Sequence, residues 1–264
     1  MRGAIVGDIV GSVYEARPYR IKTKEFPLFV KQSRFTDDTV TTVAVADALI
    51  EAYKEKKGLS MPLREKLRYW CQKYPDAGYG PCFKEWFQAE AAKPYGSYGN
   101  GAAMRVSPVA WVGRSLHEVQ YLAELTAVVT HDTQEAITGA VAVASAIYLA
   151  RTKNNKESIR SYIQQYYYPM EQTLDLIRPG YQFTSRTQES VPQGIEAFLE
   201  SESVEDSIRN AISLGGDSDT QAAIAASIAE AYYGGIPQAV WQGAWQRLTP
   251  ELKEVLITFE RIFK

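Results

Sequence analysis

Two short stretches hold the residues most able to do chemistry: Thr36-Asp37-Asp38-Thr39 and Gly215-Gly216-Asp217-Ser218-Asp219-Thr220. In each, Asp and Thr oxygens cluster within a few positions and run straight into a long Ala- and Val-rich segment that reads as a buried helix. Buried carboxylates are costly unless they are paired, protonated or bound to a metal. Two like charges ~4 Å apart repel by about 1 kcal/mol in water and about 4 kcal/mol at an effective dielectric of 20. If Asp37, Asp38, Asp217 and Asp219 converge they require a counter-cation, so the pattern predicts a metal site. With Thr36 and Thr220 these residues offer hard oxygen donors, which suit Mg2+, Mn2+ or Ca2+ rather than zinc or copper. The set exceeds what one octahedral ion takes from protein, and two metals ~3.5–4 Å apart, orienting substrate and activating water, fit it. The plainer reading is helix capping, but one capping oxygen would serve and Thr36-Asp37-Asp38 supplies three.

Other residues gather meaning around this centre. Tyr95-Gly96-Ser97-Tyr98-Gly99-Asn100-Gly101-Ala102-Ala103-Met104-Arg105 is rich enough in glycine to turn backbone N–H groups toward an anion, as phosphate-binding nests do, although most such loops are only turns. Arg105 is either a buried partner for an Asp or a phosphate contact, and its apolar neighbours Met104 and Val106 favour the structural role. His131, at a helix start, reads alone as a hydrogen-bonding core residue. A two-metal centre beside an N–H-rich loop suits a substrate carrying phosphates, and the residue chemistry leaves phosphohydrolase and glycosidic-bond hydrolysis equally open.

The elements that must position these residues read as helices. Gly3, Gly7 and Gly11 recur every four residues, a row that permits very close helix packing, and Glu15 falls on its next step. That row explains the glycines in full and leaves Glu15 open between surface and site. Residues 18–34, basic and aromatic without period, form a loop or flap near Glu15. Helices are predicted over 40–53, 63–74, 116–129, 135–151, 159–177, 191–199 and 221–233, with one or two closing helices over 238–264. Thr130 or Asp132 can cap the fourth of these, and Ser203-Val204-Glu205-Asp206 resembles a capping box. The 181–190 loop could line a pocket. No alternating strand pattern appears, so the fold class is all-α, a single domain over 1–264 without linkers.

Composition narrows the function classes. A hydrophobic content of 45% with 23% charged residues is ordinary for a globular chain, and a net charge of −2 gives no electrostatic footprint for nucleic acid or anionic membrane. No apolar run reaches ~18 residues, and Asp8 interrupts the apolar start, so neither a transmembrane span nor a signal peptide is expected and the location reads as cytoplasmic. Cys71 and Cys82 are poorly spaced for zinc, and His117 and His131 are the only histidines, so any metal is held by oxygen.

The segments GAIVGDIVGSVYE, FTDDT, YGNGAAMRVSPVAW, THDTQEA and GGDSDTQAAIAASIAEAYYGGIP, in this order and spacing, resemble the ADP-ribosylglycohydrolase family, the group of dinitrogenase reductase-activating glycohydrolase. The likeness runs from residue 3 to about 237. It implies a compact helical fold with two divalent cations, Mg2+ or Mn2+, at the base of a cleft, removing ADP-ribose from modified targets. Its metal ligands correspond to Thr36, Asp37, Asp38, Asp217, Asp219 and Thr220, and its N-terminal glutamate to Glu15, as ligand or as the carboxylate that handles water. Gly99, Asn100, Gly101 and Ala102 resemble the segment lining the ADP-ribose diphosphate, and His131 the histidine along the ribose and diphosphate. Some members have Ser where this chain has Ala102, and the residues after His131 depart from several branches.

The resulting expectation is metal-dependent hydrolysis of an ADP-ribosyl glycosidic bond in a modified protein or small molecule, with Glu15 or Asp38 as base. The alternative is a catalytically silent member that binds ADP-ribose or, like the crystallin-like relatives, keeps only the fold.

Overall fold

A computed structural model of the chain describes residues 1–16, 18–91 and 93–263. They form helices α1 (Arg2–Gly11), α2 (Asp37–Glu55), α3 (Ser60–Lys73), α4 (Pro81–Gln88), α5 (Gly101–Met104), α6 (Val109–Val112), α7 (Leu116–Val128) and α8 (Gln134–Arg151). The chain continues through α9 (Lys156–Tyr166), α10 (Leu174–Ile177), α11 (Thr187–Leu199), α12 (Val204–Ile212), α13 (Ser218–Tyr233), α14 (Gln238–Trp245) and α15 (Pro250–Phe263). Among the described residues the only β pairing is an isolated antiparallel bridge between Gly99 and Arg186, so the fold is all-α as expected.

Helix α13 is apolar or small on nearly every side, and every residue from Ser218 to Ala231 is buried. A helix without a polar face must be surrounded, and α1, α8, α11 and α12 pack around it. The glycine row of α1 is what lets it lie so close. A Cβ added at Gly3 or Gly7 would fall 2.1 or 2.2 Å from the carbonyl oxygens of Ala226 and Ala222, and one at Gly11 would meet the Asp219 backbone at 2.5 Å. The pairing runs antiparallel, so the C-terminal end of α1 is delivered to the N-terminal end of α13.

Glu15 does not continue that row. Helix α1 stops at Gly11, Ser12 is its C-cap, and Glu15 sits in the turns that follow. The predicted helix over 159–177 is two helices, since Pro169 cannot donate to a helical ladder and bars the helical conformation to Tyr168 before it. Thr133, rather than Thr130 or Asp132, caps α8 by accepting from the Ala136 amide. Ser203 caps α12 as expected, Asp206 N–H donating to Ser203 Oγ at 3.1 Å, but the returning bond is one residue off the capping box: Asp206 Oδ2 accepts from the Glu202 amide at 2.9 Å. Buried apolar side chains from Met1 to Phe259 make one cluster. Among the described residues no helix is long and apolar enough to cross a membrane.

Candidate active site

Asp8 ties α1 to α2. Its carboxylate is fully buried and accepts from the Thr36 amide at 3.0 Å, the Thr36 hydroxyl at 2.7 Å, the Thr39 amide at 3.0 Å and the Thr39 hydroxyl. Burial pushes its carboxyl pKa up and these four donors pull it back. The result pins the N-terminus of α2 beside that of α13. Two helix N-termini, each carrying partial positive charge, thus face the same spot.

The carboxylates of distant sequence meet there. Thr36 Oγ1 lies 3.4 Å from Asp219 Oδ2, and the Thr220 hydroxyl donates to Asp38 Oδ2 at 3.2 Å. Oxygens of Glu15, Asp217 and Asp219 all lie within 4.8 Å of one another. Burial raises every one of these acids, and neighbouring charges add to it at all but Asp217: Asp37 to about 8, Asp38 and Asp219 well above the usual carboxylate range, Glu15 chiefly through burial and Asp217, while the Asn100 and Thr220 hydrogen bonds partly offset the rise at Asp217.

Capping does not account for the cluster. Ser115, Thr133, Asn155 and Ser203 each cap their own helix through the side chain. Thr36 and Asp217 occupy the same N-cap positions of α2 and α13, yet neither side chain makes a capping bond. Asp38 Oδ1 is buried without any hydrogen-bond partner among the described residues. An orphaned carboxylate oxygen among raised acids, with only oxygen donors around it, fits a hard divalent cation.

A cleft of about 380 Å³ opens above these acids, within the range of small-molecule sites. Its opposite wall is the glycine-rich loop, held by backbone bonds from the Tyr95 amide to the Thr130 carbonyl (3.0 Å), the Asn100 amide to the Ser185 carbonyl (2.8 Å) and the Thr187 amide to the Tyr98 carbonyl (2.9 Å). Asn100 joins the walls, its side-chain amide donating to Asp217 at 2.7 Å and Ser190 at 3.1 Å. The N–H groups of Gly101 and Ala102 have no acceptor among the described residues. Ala102 is fully buried behind this wall and does not itself line the cleft.

His131 stands against this loop, and a Cβ on Gly101 would come within 3.0 Å of its Nε2. Burial, aided by Arg105, holds its pKa down at about 3, so the imidazole is uncharged at physiological pH. Arg105 is buried as expected but pairs with no Asp among the described residues; it donates to the Thr126 carbonyl and the Thr130 hydroxyl. Phe183 and Ser185 bring the 181–190 loop to the cleft rim.

The predicted residues other than Ala102 therefore line one cleft, the substrate-loop ones on one wall and the acids on the other, while Ala102 is buried behind the loop. Asp8, which in the sequence only interrupts an apolar start, is the site residue that local sequence reasoning misses. The signal was available: an acid on a helix with closely packed glycines must be buried and therefore partnered.

A family model described as ADP-ribosylglycohydrolase matches residues 1–261. The chain is similar to ADP-ribosylhydrolase ARH3 of Bos taurus, 28% identical over 92% of this chain and 86% of that protein. It is likewise similar to ADP-ribosylhydrolase ARH3 of Homo sapiens, 29% identical with the same shares covered. A solved structure described as an ADP-ribosylglycohydrolase-related protein complex shares the fold, with a TM-score of 0.73 at 21% identity over 99% of this chain and 95% of that one.

Proposed function

The chain belongs to the ADP-ribosylglycohydrolase family, and from that premise we propose that it hydrolyses the glycosidic bond between ADP-ribose and a modified acceptor, with two divalent cations in the acidic cluster. The observation that carries the proposal is the meeting of the 37–38 and 217–219 acids around the unpartnered Asp38 Oδ1, beneath an N–H-lined wall. Thr36, Asp37, Asp38, Asp217, Asp219 and Thr220 would hold Mg2+ or Mn2+, which supplies a polarised water and an anchor for ribose hydroxyls.

The chain's own groups divide the remaining work. Glu15 is half-buried beside Asp217, and its raised pKa brings it toward the operating pH of a general base, so it takes the proton of the attacking water. The water oxygen bonds to the anomeric carbon of the ribose as the bond to the acceptor breaks, and the proton Glu15 has taken passes to the departing acceptor. Asp38, deeper and orphaned, is a ligand rather than the base. The amides of Gly101 and Ala102, with His131, seat the diphosphate. The unbroken apolar core supports treating the chain as one catalytic domain.

The test is release of ADP-ribose from peptides modified on serine or arginine, with EDTA and with Mg2+ or Mn2+ restored. Release only with metal is expected. Full activity in chelator would overturn the metal mechanism, AMP release would make the enzyme a phosphohydrolase, and tight ADP-ribose binding without turnover would make it a silent binder.

A further inference from the structure

Behind the glycine-rich wall lies a network with an unusual charge balance. Arg105 is 1% exposed, and among the described residues no carboxylate pairs with it. Its Nη2 donates to the Thr126 carbonyl at 2.8 Å and to Thr130 Oγ1 at 2.7 Å, while its buried Nε meets no acceptor among the described residues. A buried guanidinium without a counter-charge is expensive, so this placement calls for a reason.

Thr130 supplies one. Its hydroxyl is fully buried and has two partners among the described residues, Arg105 and, at 2.6 Å, His131 Nδ1. Arginine can only donate, so the hydroxyl accepts from Arg105 and has Nδ1 as the sole acceptor for its own proton. A nitrogen that accepts is unprotonated, which leaves the imidazole proton on Nε2. Nε2 is the edge that approaches the glycine loop, 3.0 Å from the Cβ position of Gly101 and 4.0 Å from that of Gly99.

We propose that Arg105, acting through Thr130, is a positioning residue that fixes His131 as the Nε2–H tautomer, so that this N–H donates to an anionic oxygen of the ligand. On the reading of the cleft given above, on which this rests, that oxygen belongs to the diphosphate. The anion then supplies the counter-charge that Arg105 lacks. Arg105 reaches the cleft lining beside His131, and its part here is exerted through Thr130: it sets which edge of the ring is the donor and adds positive potential behind it.

Nitrogen NMR of the full chain tests this, because His117 and His131 are the only histidines and His117→Gln identifies the signals. His131 is expected to carry its proton on Nε2 alone from about pH 5 to about pH 8, given how firmly burial holds it uncharged. Thr130→Val keeps the volume and removes the hydroxyl. It should release the tautomer into a mixture and weaken ADP-ribose binding, measured by calorimetry with Mg2+ present, about tenfold. Thr130→Ser should restore both. Arg105→Gln should also lose the tautomer, but a buried arginine can be needed for folding, so the Thr130 pair decides. A proton on Nδ1 in the wild-type chain, or a Thr130→Val chain unchanged in tautomer and affinity, would overturn the relay. A wild-type chain with the Nε2–H tautomer but no affinity for ADP-ribose would instead sink the diphosphate reading, so the two failures are distinguishable.

Discussion

The two walls of the cleft are built on opposite principles. The wall at the starts of α2 and α13 gathers acids that repel one another, leaves Asp38 Oδ1 without a partner and raises every pKa it contains. The facing wall is stitched together through the Tyr95, Asn100 and Thr187 amides, and its histidine is wired to Thr130. One wall is an acidic cluster able to bind a cation, whereas the other is ordered by its own hydrogen bonds. Preorganised donors cost nothing to align at the moment of binding. Repulsion among the acids, by contrast, is relieved only by protonation or by a cation. Substitutions on the two walls should therefore move metal-free stability in opposite directions.

The largest expected effect comes from Asp219→Asn. The amide keeps the shape and can still accept from the Thr220 amide, which now bonds Asp219 Oδ1 at 2.9 Å, but it removes one charge from the cluster. Loss of several kcal/mol of metal assistance predicts a fall in kcat/KM of about 10³-fold or more. In EDTA the same variant should melt higher than the parent, because a repelling carboxylate is gone. A variant that lost activity and also melted lower in EDTA would break the comparison.

Next in size is the pH dependence of the metal-free chain. The Asp37 carboxyl rises from 3.8 to about 8 on folding. Between those values the native state holds a proton that the unfolded chain has released, so stability falls as pH rises through that window and then levels off. Metal affinity runs the other way, since fewer protons must be displaced at higher pH. Melting in EDTA at pH 5, 6.5 and 8 should thus show a steady decline, and the metal-loaded chain should lose that decline. A metal-free chain that grew more stable toward pH 8 would mean the acids are not stressed.

The acidic wall was largely legible in the sequence, because Asp clusters opening helices too apolar to be surface helices announce a buried charge. The row of Gly3, Gly7 and Gly11 likewise announced a close helix pair. Other features were set by residues far away in the chain. Asp8 is meaningful only through Thr36 and Thr39, and nothing local shows that α1 will end beside them. Glu15 reached the site although α1 stops short of it, because the turns after Gly11 fold back on α13. The expected Asp partner for Arg105 is replaced by a carbonyl and a hydroxyl, a choice that only tertiary packing makes.

The ordered wall should respond to volume rather than to charge. Gly101→Ala would place a methyl 3.0 Å from His131 Nε2 and 3.2 Å from Cε1, tighter than ordinary van der Waals contact. The ring must shift by a few tenths of an ångström, and its N–H then no longer meets the ligand squarely. ADP-ribose affinity is expected to fall about tenfold, the worth of one hydrogen bond to a charged group. Metal affinity should be unchanged, since position 101 touches none of the acids. Equal losses of both would show that the walls are coupled more tightly than the Asn100 link implies.

The smallest effect is expected at position 102, where relatives with serine invite the idea that a hydroxyl contact has been lost. Ala102 is 0% exposed and lies behind the residues that line the cleft. Ala102→Ser therefore adds a hydroxyl to packed surroundings instead of to the ligand. A buried hydroxyl without a partner costs about 1–3 kcal/mol, so stability should drop modestly. ADP-ribose affinity should change by less than about twofold, because position 102 lies outside the cleft lining. A tenfold gain in affinity would show that the loop turns over on binding and brings this side chain to the diphosphate, making the glycine wall adaptable rather than preformed.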